Sequence, residues 1–143
     1  MGTDIHTVVD RKDPATGRWE MVKGLHPFEW RDYSIFGFLG NVRNYSECEP
    51  LSDHRGLPEG LSEGGQVALG YREDCHSHSW VLLKELLDFD YDKMFWDRRH
   101  ECDEEDRQVT YREHLLGDFF RDLDELKSLG GPEHVRVVFW FDN

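Results

Sequence analysis

The two ends of the chain show the alternating and apolar patterns of β-strands. Residues 3–9 are rich in β-branched side chains, and strand alternation places Asp4 and His6 together on the polar face. The turn-rich residues 10–17 follow, so the first strand is predicted to fold back as a β-hairpin. Residues 134–141 are apolar on both faces, which predicts a central strand of a sheet.

Three segments between these ends have the spacing of amphipathic helices. Apolar residues recur at helical intervals over residues 34–42 and, after a serine cap, over residues 77–87. The clearest helix is predicted over residues 110–126, because a Thr-x-x-Glu capping box precedes an apolar stripe. It ends at the Gly-Gly-Pro of residues 130–132. Residues 44–75 show little periodicity, so they are predicted to form a long ordered loop.

These elements predict a protein of the α+β class. The chain has 143 residues, which is the usual size of one domain, so residues 1–143 are expected to form a single domain. The N-terminal hairpin and the C-terminal strand should form a small mixed sheet, covered by two or three helices.

The charge of the chain argues against several classes of function. The net charge of -13 repels polyanions, so direct binding to DNA, RNA or an anionic membrane is not expected. No apolar run approaches the roughly 20 residues that span a bilayer. The same acidity would suit an inhibitor that mimics nucleic acid and blocks a basic protein, with residues 101–106 as its strongest acidic run.

The cysteines and the first residues predict a cytoplasmic protein. The three cysteines are odd in number and widely spaced, which favours reduced thiols over a disulfide framework. The first ten residues have neither the basic nor the apolar region of a secretion signal.

The stretch of residues 74–83 concentrates the candidate chemistry. His76 and His78 are expected at the start of a helix, where the helix dipole disfavours a positive charge and keeps an imidazole neutral. A neutral imidazole can act as a general base or bind a metal. With Asp4 and His6 from the first strand, the two histidines form a candidate ligand set for Zn, Mn or Fe. Metal-free catalysis, anion binding and ordinary helix capping are the alternatives, and no tight metalloenzyme motif is present.

Three arginines, Arg31, Arg43 and Arg55, are candidates for binding an anion. A guanidinium group binds phosphate through two hydrogen bonds, and a local cationic pocket on an acidic chain suits a small anion better than a polymer. The alternative is that each arginine pairs with one of the 30 acidic residues. The other expected ligand-binding residues, which offer polar, stacking or close backbone contacts, are Tyr33, Asn41, Gly56, Ser79 and Trp80.

Four blocks of the sequence resemble a family of small bacteriophage and bacterial proteins. They are MGTDIH at residues 1–6, Y-x-x-F-x-x-L-x-NVRN at residues 33–44, RGLP at residues 55–58, and D-x-HSHSW at residues 74–80. His54 stands where the family pattern has proline, so the family gives it no role. The resemblance implies a phage accessory protein in the cytoplasm of an infected bacterium. It marks ten positions: Asp4, His6, Tyr33, Asn41, Arg43, Arg55, Gly56, His76, His78 and Trp80.

Three functions remain open at this stage. The first is a phosphodiesterase or nucleotide hydrolase, with His6, His76 and His78 as catalytic residues, with or without a metal. Small phage proteins that disable host defences suggest, by analogy, a nucleotide signal as the ligand. The second is a non-catalytic sponge with the same pocket, and the third is the acidic inhibitor. The enzyme is preferred because a sponge has less need of neutral imidazoles. A composite site in a homo-oligomer also remains open.

Overall fold

The computed structural model describes residues 2–70, 73–100 and 107–143, and it contains both helices and strands. In chain order they are β1 (Asp4–Lys12), β2 (Trp19–Met21), α1 (Tyr33–Gly40), α2 (Glu63–Leu69), β3 (Cys75–Leu82), α3 (Leu83–Asp88), β4 (Met94–Asp97), β5 (Arg107–Thr110), α4 (Tyr111–Lys127) and β6 (Val135–Asp142). Among the described residues, none of the helices has the length and apolarity that a membrane crossing requires.

The main sheet has four strands in the order β2-β1-β6-β3. All of its described strand pairs are antiparallel. The expected α+β class is confirmed, with a sheet built from both chain ends and covered by helices. The predicted N-terminal hairpin is confirmed as β1 and β2, and the last strand, β6, is central as predicted. A separate two-stranded sheet, β4 with β5, was not predicted.

The main core lies between the inner face of the sheet and the helices α1, α3 and α4. The predicted alternation of β1 is confirmed, since Ile5, Thr7 and Val9 are buried while Asp4 and His6 are partly exposed. Each apolar side chain that is fully buried contributes about 1.5–3 kcal/mol of transfer free energy. The bulkiest fully buried apolar members of this core are Phe28, Phe36, Phe38, Phe119, Phe139 and Phe141.

A glycine allows α1 to pack directly onto the central strand. A Cβ atom at Gly40 would lie 2.8 Å from Cε2 of Phe139, so any larger residue would push α1 away from β6. At the N-terminus of α1 the Asp32 side chain accepts a hydrogen bond from the Ser34 amide and caps the helix. The capping box of α4, Thr110 with Glu113, is confirmed.

The outer face of the sheet is covered at one end by α2, within the segment predicted to be a loop. The prediction was wrong there because Gly64 and Gly65 weaken the helical pattern of residues 63–69. Ser62 starts the helix by accepting a hydrogen bond from the Gly65 amide, and its own hydroxyl donates to buried Asp10 of β1. Tertiary contacts therefore establish a helix that the local sequence disfavours.

The prediction of a helix over residues 77–87 was also wrong, for the first half of that segment. Residues 75–82 form β3, which hydrogen-bonds to β6, and the helix α3 begins only at Leu83. The polar side chains of β3 lie on the edge of a sheet, where an extended strand tolerates them. The expectation that His76 and His78 lie at a helix N-terminus, with its dipole, is corrected accordingly.

Candidate functional site

Three aromatic rings form a row across the outer face of the sheet. His6 of β1, Trp140 of β6 and His78 of β3 lie side by side, with ring centroids 6.2 Å and 6.4 Å from the indole and planes tilted by 23° and 25°. Trp140 is buried, whereas both histidines are partly exposed. We call His6, Trp140 and His78 the ring row. It is the place where the first strand and the His76–His78 segment approach one another.

A β-bulge places His78 in this row. The register between β3 and β6 shifts between His76 and Ser79, and Ser77 has a positive φ of 57°. His76 is therefore opposite Phe141 of the inner face, while His78 stacks beside Trp140 on the outer face. The bulge separates two histidines that regular alternation would place on one face.

His6 contacts a carboxylate that the sequence reasoning did not select. Its Nε2 atom lies within hydrogen-bond distance of Oδ2 of Asp142, with 34% of the His6 side chain and 14% of the Asp142 side chain exposed. Because an ionised carboxylate only accepts hydrogen bonds, Nε2 carries the proton and Nδ1 is the basic nitrogen of a neutral ring. Asp142 thus sets both the orientation and the tautomer of His6.

His78 is the second nitrogen base of the ring row. Its partial burial lowers the pKa, and the neighbouring His76 lowers it further. Both effects favour the neutral imidazole at physiological pH. The neutrality predicted from a helix dipole is therefore produced by burial.

Asp4 is engaged by an arginine. Arg31 donates from Nε and Nη2 to the two carboxylate oxygens of Asp4, at 2.9 Å and 2.8 Å, on the protein surface. The hydrogen bonds from Arg31 lower the pKa of Asp4. Asp142, which is opposite Asp4 in the strand register, also contributes to raising the pKa of Arg31.

The four predicted metal ligands are distributed over three separate environments. Asp4 pairs with Arg31, His6 with Asp142, and His76 donates from Nε2 to Oδ1 of Asn143 at 3.1 Å. Over residues 2–70, 73–100 and 107–143, no group of three or more His, Cys, Asp or Glu side chains lies close enough to hold a metal. The geometry thus brings His6 and His78 to one row but does not gather the four ligands into one described set.

Arg43 lies at the same end of the sheet. It donates from Nε to Oγ1 of Thr3 at 3.0 Å and from Nη1 to the hydroxyl of Tyr45 at 2.9 Å. Its guanidinium carbon is 5.7 Å from the centre of the Tyr33 ring, a cation–π distance. Thr3 Oγ1 in turn donates to Asn143 Oδ1, which joins Arg43 to the Asn143 amide that accepts from His76.

The predicted ligand-binding residues near Trp80 hydrogen-bond the segment that follows α1 to β3 and α3. Arg55 donates to both carboxylate oxygens of Glu85 and to two backbone carbonyls, and its guanidinium lies 5.1 Å from the Trp80 ring centre. Buried Ser79 hydrogen-bonds to Ser52 at 2.9 Å. The Gly56 amide donates to the His78 carbonyl. Asn41 caps the C-terminus of α1 in the left-handed conformation.

The sequence analysis did not select Asp142, although the pattern of the first and last strands contained a signal for it. If the first and last strands pair in antiparallel fashion, the start of one lies beside the end of the other. Asp142 would then fall next to Asp4, as it does in the observed register. Trp140 belongs to the predicted central strand and is buried, but its contact with two histidines is a tertiary feature.

Comparison with known proteins gives no independent assignment of the site. No protein-family model, no curated protein and no solved structure matches the chain. The function is therefore inferred from the residues and their geometry.

Proposed function

We propose that the chain hydrolyses a small phosphate-containing molecule, with nucleotides as the substrate class, at the ring row. The observation that carries the proposal is the contact between His6 Nε2 and the Asp142 carboxylate on a partly exposed face. An imidazole oriented by a carboxylate is a common arrangement for general acid–base catalysis. The resemblance to small phage proteins supplies the proposed setting, an accessory protein that removes a host nucleotide signal.

The proposed step uses both nitrogens of His6. Nδ1 accepts a proton from water as the water oxygen attacks phosphorus, while the Nε2 proton remains hydrogen-bonded to Asp142. The imidazolium formed in this way is stabilised by the adjacent carboxylate. It then returns the proton from Nδ1 to the leaving oxygen as the bond between phosphorus and that oxygen breaks. General acid–base catalysis of this kind contributes roughly 10²–10⁴-fold in rate.

Neighbouring groups supply binding and support. His78, held neutral by burial, can accept a hydrogen bond from the ligand. Arg31 is exposed, so its guanidinium can turn from Asp4 toward a phosphate with little loss of packing. Trp140 lies between the two imidazoles and packs against both. Its ring is too buried to stack on a nucleobase.

A non-catalytic sponge is the second candidate. It is favoured by the pairing of Arg43 with Tyr45, because Tyr45 is 55% exposed and offers a free aromatic surface beside a guanidinium. Binding without turnover would use this stacking surface and would leave the ligand unchanged.

The fate of the ligand separates the two candidates. The protein is incubated with cyclic mononucleotides, cyclic dinucleotides and nucleoside triphosphates, then denatured, and the nucleotides are separated by chromatography. Cleaved product supports the hydrolase, and intact ligand that co-purifies with the protein supports the sponge. If nothing is cleaved or retained, both proposals are wrong. Parallel reactions with a chelator or with added Zn²⁺ or Mn²⁺ test the predicted metal.

A matched histidine variant guards against contaminating hydrolases. His6→Gln removes the acid–base group, whereas His134→Gln changes an exposed histidine at the opposite end of β6. Activity lost only in His6→Gln belongs to this protein. Equal activity in both variants would contradict catalysis at His6.

A further inference from the structure

We propose that a cleft between the edge of β1 and α4 is a second binding site, which takes an organic cation with ammonium or guanidinium N–H donors. The cleft has a volume of about 330 Å³ and is lined by residues 24–27 and by Glu29, Trp30, Asp122 and Glu125. We call it the edge cleft. Two of its residues belong to α4, which packs on the inner face of the sheet, whereas the ring row is on the outer face. The edge cleft is therefore separate from the ring row.

The segment that follows β2 forms the wall of the edge cleft beside β1. β2 pairs with residues 10–12 of β1, so Thr7 lies beyond its end. There the Nδ1 atom of His26 donates to the Thr7 carbonyl at 2.6 Å, and Oε1 of Glu29 accepts from the Thr7 amide at 2.8 Å. Because a carbonyl oxygen only accepts, Nδ1 carries the proton and Nε2 of the neutral His26 ring is an acceptor. Glu29 likewise keeps its second oxygen for a ligand.

Asp122 supplies a buried carboxylate with one oxygen that lacks a donor. The residue is only 7% exposed, and its Oδ2 atom accepts from the Phe28 amide at 2.8 Å and from Nε1 of Trp30 at 3.0 Å. None of the described residues donates a hydrogen bond to Oδ1, and Nε of Arg121 is 4.0 Å from it. Among the described residues, the one sealed side-chain nitrogen or oxygen without a partner belongs to Arg136, so Oδ1 is reached by solvent. A largely buried oxygen in a cleft, still without a donor, points to a ligand that donates.

The polar side chains of the edge cleft offer acceptors to a ligand. The N–H groups of His26 Nδ1 and Trp30 Nε1 are both used within the protein. None of the described residues that line the cleft is a lysine or an arginine, and three of them are carboxylates, Glu29, Asp122 and Glu125. A ligand that matches this lining carries a positive charge and donates hydrogen bonds.

A neighbouring arginine leaves the lining negative. Arg121 stacks on Trp30, with its guanidinium carbon 5.2 Å from the ring centre. Its Nη2 atom is 3.3 Å from Oδ1 of Asp118, so its charge is shared between Asp118 and Asp122. The two glutamates of the cleft remain uncompensated by it. The same contact shows that the Trp30 ring accepts a cation.

The spacing of the acceptors favours an organic cation over a metal ion. In the part of the chain that the structure describes, no three His, Cys, Asp or Glu side chains lie close enough to hold a metal. An alkylammonium or guanidinium ligand spreads its N–H donors over a carbon skeleton, and its alkyl part can lie on Trp30, which is 46% exposed. The volume of the edge cleft is at the lower end of the range for small-molecule sites.

Calorimetric titration with putrescine, a diamine with a positive charge at each end, tests this site. The variant Glu29→Gln/Glu125→Gln removes two charges of the cleft and keeps an acceptor for the Thr7 amide. The control Glu59→Gln/Glu133→Gln removes two exposed carboxylates outside the cleft. Hydrogen bonds to charged groups contribute enough that the cleft variant should bind roughly 10- to 100-fold more weakly. The control should bind within about twofold of the unmodified chain, because salt screens distant exposed charges.

A third variant, Asp122→Asn, tests the buried oxygen itself. The amide oxygen can still accept from Phe28 and Trp30, so the amide nitrogen takes the place of Oδ1 and presents a donor to the ligand. Putrescine binding should fall at least as far as in the cleft double variant, with the fold intact by circular dichroism. Unchanged affinity in folded Asp122→Asn would contradict the site. If this variant does not fold, the exposed double variant decides.

Three other results would overturn the inference. They are the absence of putrescine binding by the unmodified chain, an equal loss in both double variants, and equal displacement of putrescine by Mg²⁺ at the same ionic strength. The last two would show general attraction to an acidic protein of net charge -13.

Two further arms identify the source of the cation and separate this site from the hydrolase. Tighter binding of putrescine than of a short peptide with one arginine between glycines supports a free amine, and the reverse supports a basic side chain of a protein partner. His6→Gln should leave putrescine binding unchanged. A loss of binding in His6→Gln would contradict two separate sites.

Discussion

Two side-chain contacts to an aspartate join β1 to β6 on the same face of the sheet, and they differ in almost every other respect. Asp10 with Arg136 lies under the α2 end, where the side chains are 0% and 5% exposed. His6 with Asp142 lies at the other end and is reached by solvent. The same pair of strands thus carries one contact sealed in the protein and one available to a ligand.

The difference shows how burial decides the role of such a pair. Arg136 also donates to the carbonyls of Glu59 and Gly60, so the buried pair fixes the segment that leads into α2. Burial removes both charges from water and makes each dependent on the other. At the open end the His6 ring is accessible to water, and the proposed proton transfer requires that access. The buried pair therefore serves stability, and the open pair is the one at which we propose chemistry.

The largest effect is expected from Asp10→Asn. The substitution keeps the shape of the side chain but leaves the Arg136 charge buried without its counterion, so the free energy of unfolding should fall by about 3–5 kcal/mol. The matched variant at the open end, Asp142→Asn, should lower it by about 1 kcal/mol or less. Urea unfolding of both variants measures the difference. Equal losses would contradict the division between a structural end and a functional end.

The next effect is a dependence of stability on pH from a third buried group. Burial, together with the positive charge of Arg99, lowers the pKa of His114 to about 4. The unfolded chain binds a proton as the pH falls below about 6.5, but the folded protein does so only near 4, so stability is lost between these values. The loss should be roughly 2–3 kcal/mol. Urea unfolding at several pH values measures it.

The variant His114→Gln isolates this contribution. Because glutamine does not titrate, the free energy of unfolding should vary less between pH 6.5 and 4 than in the unmodified chain. Identical pH dependence in the two proteins would mean that His114 is not buried as described. His6, at the open end, serves as the comparison, and His6→Gln should leave most of the slope in place.

The smallest effect on stability is expected from Arg31→Gln. The ion pair with Asp4 is on the surface, so the urea midpoint should be unchanged within error. Nucleotide binding or turnover should nevertheless weaken, because the positive charge proposed to contact the phosphate is lost. Titration of the best ligand against both proteins measures this. Full activity with unchanged affinity would remove Arg31 from the proposed site.

Elements with strong local signals could be predicted from the sequence. The alternation of residues 3–9, the apolar run of residues 134–141 and the capping box at Thr110 each determine an element through short-range chemistry. Segments that depend on tertiary contacts were not predicted correctly. α2 relies on Ser62 contacting Asp10, and β3 relies on the edge of β6.

The site was predicted only in part for the same reason. The convergence of the first strand with the His76–His78 segment follows from their pairing on either side of β6, and His6 and His78 do meet there at Trp140. The bulge at Ser77 could not be foreseen, because it depends on the register between two strands. It places His76 on the other face.

The most direct measurement is the single-turnover rate of hydrolysis of the best nucleotide substrate, with enzyme in excess, for the unmodified chain, His6→Gln and Asp142→Asn. If His6 is the acid–base group, His6→Gln should slow the step by roughly 10²–10⁴-fold, with the fold intact by circular dichroism. Asp142→Asn should also slow it, because an amide does not hold the same tautomer or stabilise the imidazolium. Unchanged rates in both folded variants would contradict catalysis at this pair.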